Sequence, residues 1–122
     1  MATIARTRPA GRFIPRDDIQ SFVDRIVNRF HPPKVILFGS YAYGDPNADS
    51  DVDLLVIMPH RGPGPKAAAR IMLTCPHDFP IDLMVRSPTE VRRRIELGDR
   101  FMHEITSKGI VLHEADDARM GR

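Results

Sequence analysis

The sequence predicts a single α/β domain in which a small mixed β-sheet is flanked by helices. Short apolar runs bounded by glycine and proline alternate with segments whose apolar residues recur at helical spacing. The 122 residues are 42% hydrophobic and 28% charged, an ordinary balance for one globular domain. We place this domain at residues 16–113, between a flexible basic arm (1–15) and a disordered tail (114–122).

The first predicted element is a helix after the arm. Asp17 is a candidate N-cap, with Gln20 three residues later as in a capping box. Pro32 and Pro33 end the helix. Its apolar residues share one face and are Ile19, Phe22, Val23, Ile26, Val27 and Phe30.

The remaining elements follow from short apolar runs and cap signals. The predicted strands are residues 35–38, 51–58, 79–85 and 110–112. The predicted helices are a single turn at 40–43, a helix at 66–74, a helix after Ser87 and a short helix at 101–107. Ser87 is the expected cap of its helix, with Pro88 at the first position and Glu90 at the third.

Composition and charge limit the expected location and binding partners of the protein. No apolar run approaches the roughly 18–20 residues of a membrane span, and no secretory core is evident, so we expect a cytoplasmic protein without a membrane partner. The single cysteine, Cys75, cannot form an internal disulfide. Net charge is only +2, but arginines cluster in the arm and at residues 92–94. These clusters leave direct nucleic-acid binding open, although solvated surface is the simpler interpretation.

Gly39 and Ser40 follow the first predicted strand and open a helical turn. Glycine lets the backbone approach a ligand closely, and N–H groups at the start of a helix favour an anion. The pair is therefore a candidate phosphate cradle. Taken alone, the pair is better explained as a glycine turn followed by a serine cap, because Gly-Ser is common.

Asp51 and Asp53 lie two residues apart at the start of the second predicted strand. Such residues point to the same face of a strand, where two carboxylates repel unless a cation lies between them. Divalent cations such as Mg²⁺ prefer oxygen ligands and share them with phosphates. The alternative is a solvated strand end that belongs to the turn at 49–50.

Asp82 lies within the apolar run FPIDLMV. A carboxylate in a mostly buried strand is unfavourable unless it is paired or bound to metal. If the second and third strands are neighbours, Asp82 lies beside Asp51 and Asp53, and the three could hold two metals about 3.5–4 Å apart. The alternative is an ion pair with Arg86 or Arg92.

These residues carry a family resemblance. Gly39-Ser40, ten residues and then Asp51-Val52-Asp53 resembles the signature of the DNA polymerase β-like nucleotidyltransferase superfamily. Asp82 in its IDLMV run resembles the position of that superfamily's third carboxylate. The resemblance covers residues 17–112 and implies the polymerase β-like nucleotidyltransferase fold. The compact chain looks like the minimal nucleotidyltransferase (MNT) branch.

The resemblance implies a role for each of these residues. Gly39 and Ser40 would hold the β- and γ-phosphates of ATP. Two Mg²⁺ ions would be bound by Asp51, Asp53 and Asp82. Asp82 would also be the candidate base that takes the proton from the hydroxyl group receiving the nucleotide. Many family members have an arginine in the turn after Gly-Ser, where this chain has residues 41–43 (YAY), so one source of positive charge is missing.

The expected function is inferred by analogy with free-standing MNT proteins. They resemble antitoxins that transfer AMP from ATP to a tyrosine of a partner HEPN-domain ribonuclease toxin. Two alternatives stay open: a nucleotidyltransferase acting on a small molecule or an RNA end, and a non-catalytic protein that neutralises a toxin by binding. Three unfavourable carboxylates argue against the last.

Overall fold

The computed structural model describes residues 13–116. Most of the predicted arm and most of the predicted tail lie outside these residues. The described elements are, in chain order, α1 (Arg16–Phe30), β1 (Lys34–Phe38), α2 (Ser40–Tyr43), β2 (Val52–Ile57), α3 (Gly64–Thr74), β3 (Ile81–Arg86), α4 (Pro88–Glu96), α5 (Arg100–Lys108) and β4 (Ile110–Glu114). The predicted α/β class and order of elements are confirmed.

The four strands form one mixed sheet in the order β3-β2-β1-β4. β1 is antiparallel to both β2 and β4, whereas β2 and β3 are parallel and are connected through α3. The antiparallel pairing places the end of β1 beside the start of β2, with Phe38 opposite Asp53. β3 and β4 are the edges of the sheet.

Helices cover both faces of the sheet, which explains why its strands are nearly continuous apolar runs. In β2, Leu54 and Val56 join a core cluster with residues of α1 and α3. Leu55 and Ile57 face the other way and join a second cluster with Val91 of α4 and with residues of α5. We call the second side the α4/α5 face.

The predicted capping box of α1 is wrong. The helix begins at Arg16, Pro15 is at the N-cap position without a side-chain cap, and Asp17 lies in the first turn. The negative charge of Asp17 is favourable in the first turn because this is the positive end of the helix dipole. Gln20 does not reach back to the cap; its amide donates to Asp24 and to the backbone carbonyl of Leu112.

The predicted cap of α4 is confirmed: the Ser87 hydroxyl accepts a hydrogen bond from the Glu90 N–H at 3.1 Å. A second cap, which the sequence did not suggest to us, begins α5, where Asp99 accepts from the Met102 N–H at 3.0 Å. This hydrogen bond is the largest cause of the lowered pKa of Asp99, and the neighbouring Arg94 lowers the pKa further. Local side chains thus set where both helices begin.

The strand ends differ from those predicted. β3 begins at Ile81 and not at Phe79, whose buried ring packs edge-on against Phe22. β4 continues to Glu114, which forms an ion pair with Lys34 on the adjacent strand at 3.5 Å. Among the helices of residues 13–116, none has the length and apolar character needed to cross a membrane.

Candidate functional site

The two strands that carry the aspartates are neighbours, which is the condition on which the predicted carboxylate cluster depended. β2 and β3 run parallel, and Asp53 is in register with Asp82. Their side chains therefore leave the sheet on the same face, side by side on adjacent strands. Leu55 and Met84, each two residues further along its strand, belong to the α4/α5 cluster, so both aspartates lie on that face.

The surroundings of Asp53 raise its pKa. Partial burial, the largest cause, acts together with the negative charges of Asp82 and Asp51 to raise this pKa from 3.8 to about 6. The protein alone thus makes the charged form of Asp53 unfavourable. A cation close to Asp53 would reverse this effect, because an opposite charge favours the ionised carboxylate.

Asp51 directly precedes β2 and is exposed. The loop before it is shaped by its own side chains: the Asn47 N–H donates to the Ser50 hydroxyl, and the Asp49 N–H donates to the Asn47 side chain. The Val52 N–H then donates to the Pro80 carbonyl at 3.0 Å, which anchors the start of β2 beside β3. Asp51 is therefore held at the sheet end where Asp53 and Asp82 lie.

Asp82 is exposed, which corrects the expectation of a mostly buried strand. β3 is an edge strand, and among its residues only Val85 is fully buried. Arg86 lies four residues along β3 and forms its ion pair with Glu90 at 3.9 Å, and no ion pair joins Asp82 to Arg86 or Arg92 within residues 13–116. The desolvation that we expected at Asp82 falls on Asp53 instead.

Gly39 is the point at which the chain turns past Asp53. Its φ of 72° lies in the left-handed region, and a Cβ at this position would overlap the carboxylate of Asp53. Only glycine allows this approach. The Gly39 carbonyl accepts from the Ala42 and Tyr43 N–H groups at 3.0 Å, which closes the short turn α2 with Ser40 at its start.

The predicted residues Gly39, Ser40, Asp51, Asp53 and Asp82 therefore come together at one end of the sheet. Tyr41, directly after Ser40, packs against the core, and its hydroxyl accepts a hydrogen bond from the Ile14 N–H at 3.2 Å. We did not single out Phe38 as a site residue, although it lies opposite Asp53 on the same face. The available signal was its position directly before Gly39.

The donor set suits a hard divalent cation, since it consists of carboxylate oxygens beside a glycine turn. Within residues 13–116, no three acidic, histidine or cysteine side chains already enclose a site for an ion. Magnesium is usually held by one or two carboxylates together with phosphates and water. The arrangement therefore fits an ion that takes part of its coordination from a bound nucleotide.

Comparison with known proteins agrees with this chemistry. A family model described as a nucleotidyltransferase domain matches residues 19–114, which contain all five predicted site residues. The fold resembles a crystal structure from Sulfolobus solfataricus provisionally assigned as a nucleotidyltransferase. The TM-score is 0.55 at 17% identity, over 78% of this chain and 76% of that one. No curated protein matches the sequence.

Proposed function

Because the chain belongs to the nucleotidyltransferase domain family, we propose that Asp51, Asp53 and Asp82 form a metal-dependent centre that transfers a nucleoside monophosphate from an NTP to an acceptor hydroxyl. One observation carries the proposal: Asp53 is in register with Asp82 and touches the turn at Gly39. Three carboxylates beside a glycine turn suit phosphoryl transfer, which depends on positioning and charge.

The proposed transfer is a single displacement at the α-phosphorus of the NTP. The acceptor oxygen forms a bond to the α-phosphorus, the bond from that phosphorus to the bridging oxygen breaks, and pyrophosphate leaves. A divalent metal, when bound, supplies positive charge to the triphosphate and makes the acceptor hydroxyl more acidic. Asp53 and Asp51 would hold this metal, whose charge offsets that of the triphosphate. Asp82 is exposed and is our candidate for receiving the proton of the acceptor.

For the acceptor, we propose a tyrosine of a partner HEPN-domain toxin, with ATP as the donor. The resemblance to MNT antitoxins supports this choice, and so does the open position of the site. Asp51 and Asp82 are both exposed, and Asp82 lies on an edge strand. A protein side chain can reach such a site without a deep pocket.

The test is transfer of label from ATP carrying a radioactive α-phosphate, in the presence of Mg²⁺, to the protein encoded beside this one. We expect label on that protein with the wild type and none with Asp51→Ala plus Asp53→Ala. The matched control is Asp45→Ala plus Asp49→Ala, which removes two exposed carboxylates from the same loop. This control should keep its activity.

Two outcomes would contradict the proposal in different ways. Label on a small molecule or an RNA end would retain the nucleotidyltransferase and reject the toxin as acceptor. If no NTP gives label while the two proteins still form a tight complex, the catalytic proposal fails and inhibition by binding becomes the better account.

A further inference from the structure

The row of site residues extends beyond the carboxylates. Phe38, Asp53 and Asp82 occupy registered positions on β1, β2 and β3. Registered positions on adjacent strands share a face, and Phe38 accordingly belongs to the α4/α5 cluster. The carboxylates are therefore continued, on the same face, by an aromatic side chain directly before the Gly39 turn.

A second ring, Phe101, continues this row from α5. It packs edge-to-face on Phe38, with ring centroids 5.8 Å apart and an interplanar angle of 83°. Phe38 is only 5% exposed, whereas Phe101 is 50% exposed. The row thus ends in a large apolar ring, half of which faces solvent.

The position of Phe101 is set by the residues around it. Asp99 caps the first turn of α5, and Met102 and Ile105 are buried against the sheet. Phe101 is therefore held on a fixed helical turn while its own ring stays accessible. A rigid, exposed ring of this kind can stack on a flat ligand with little loss of conformational entropy.

We propose that Phe101 stacks on the nucleobase of the NTP. This inference rests on the proposed function, which places the triphosphate beside the Gly39 turn and the aspartates. Exposed apolar residues are common, and Leu73 is even more exposed, at 87%. Phe101 differs because it contacts the residue opposite Asp53. Stacking accepts every base, so Phe101 contributes affinity without selecting which nucleotide binds.

The experiment measures binding of two ligands by calorimetry, both with Mg²⁺: ATP, and inorganic tripolyphosphate, which lacks base and ribose. Phe101→Ala should weaken ATP binding about five- to hundredfold, the range expected for one stacked base. Its affinity for tripolyphosphate should equal that of the wild type. Phe101→Tyr should bind ATP about as tightly as the wild type, because it keeps an aromatic ring at this position. Leu73→Ala, an exposed apolar residue on α3, should change neither affinity.

Each other outcome overturns the inference. If Phe101→Ala binds ATP as the wild type does, or loses both ligands equally, the ring does not contact the base. If ATP binding is unchanged but transfer to the protein acceptor falls, Phe101 contacts the acceptor instead. In these cases the proposed function stands. A wild-type protein that binds neither ligand would instead reject the proposed function, and this inference with it.

Discussion

Gly39 and Gly62 both have a positive φ, of 72° and 69°, but differ in what surrounds them. A Cβ at Gly39 would overlap the Asp53 carboxylate, whereas nothing lies within 4 Å of a Cβ at Gly62. We expect Gly39→Ala and Gly62→Ala each to carry a backbone penalty of roughly 1–3 kcal/mol, because side chains rarely adopt a positive φ. Only Gly39→Ala should abolish nucleotidyl transfer, because it displaces Asp53.

Urea denaturation and labelled-ATP transfer, performed on both variants, test this prediction. The comparison separates backbone strain from site chemistry because only the Cβ added at position 39 would meet Asp53. Full activity of folded Gly39→Ala would show that the carboxylate of Asp53 does not need its present position. Loss of activity in Gly62→Ala would show that the strain alone is sufficient.

The raised pKa of Asp53 makes stability of the metal-free protein depend on pH. Its carboxyl binds a proton more tightly in the folded state, with a pKa of about 6, than at its ordinary value of 3.8. The stability that this proton binding contributes is therefore complete below pH 3.8 and is lost as pH rises through about 6. Asp53→Asn removes this dependence, so the variant should become progressively more stable than the wild type over this window.

Urea unfolding with a chelator present, repeated at several pH values between about 4 and 7, measures this difference. Asp99→Asn is the control, since the pKa of Asp99 is lowered from 3.8 by its bond from the Met102 N–H. The stability that Asp99 contributes is lost as pH falls below about 4, so the difference between Asp99→Asn and wild type should stay nearly constant over this window. A constant difference between Asp53→Asn and wild type across the window would mean that Asp53 is not perturbed.

At the scale of single elements, the start of α4 is a local event. The Ser87 hydroxyl satisfies the Glu90 N–H, and Pro88 occupies the first helical position. Ser87→Ala should lower the free energy of unfolding by about 1 kcal/mol, while Ser87→Asp, which can also cap, should retain most of it. Thermal unfolding of the three proteins checks this. Equal loss in both variants would assign the effect to packing and not to the cap.

The contrast between α4 and α1 explains which element ends could be predicted. Ser87 and its partner are three residues apart, so the sequence contains the whole interaction. For α1, the chain entering at Pro15 decides where the helix begins, and Gln20 is drawn to a carbonyl of β4. A contact 92 residues away in sequence cannot be inferred from a capping pattern.

At the scale of the molecule, the sheet needs both of its helical layers. Leu54 and Leu55 are adjacent, fully buried and directed to opposite faces. We expect Leu54→Ala and Leu55→Ala each to lower the free energy of unfolding by about 2–5 kcal/mol, because each leaves a cavity in a separate core. Leu73→Ala, at an exposed site, should change it by less than about 0.5 kcal/mol.

Denaturant unfolding of the three variants distinguishes a sheet covered on both faces from one covered on a single face. If only one of the two buried leucines were sensitive, one layer of helices would be loosely packed. A large effect at Leu73 would indicate that its side chain is covered by some other part of the protein.

The sequence by itself determined the fold class, the order of elements and the five candidate site residues. Apolar periodicity, turn residues and the spacing of Gly39-Ser40 from Asp51 and Asp53 are local, and local patterns persist in the folded chain. These signals also indicated the nucleotidyltransferase chemistry. They did not show which strands are neighbours, because apolar runs of similar composition can pair in several orders.

Tertiary structure alone decided how those residues meet. The parallel pairing of β2 with β3 places Asp53 beside Asp82, and the edge position of β3 leaves Asp82 exposed while Asp53 is partly buried. Packing of α5 brings Phe101 against Phe38. Each of these results depends on contacts between segments far apart in the sequence, and the chain entropy lost in bringing such segments together is offset only by the burial they share in the folded protein.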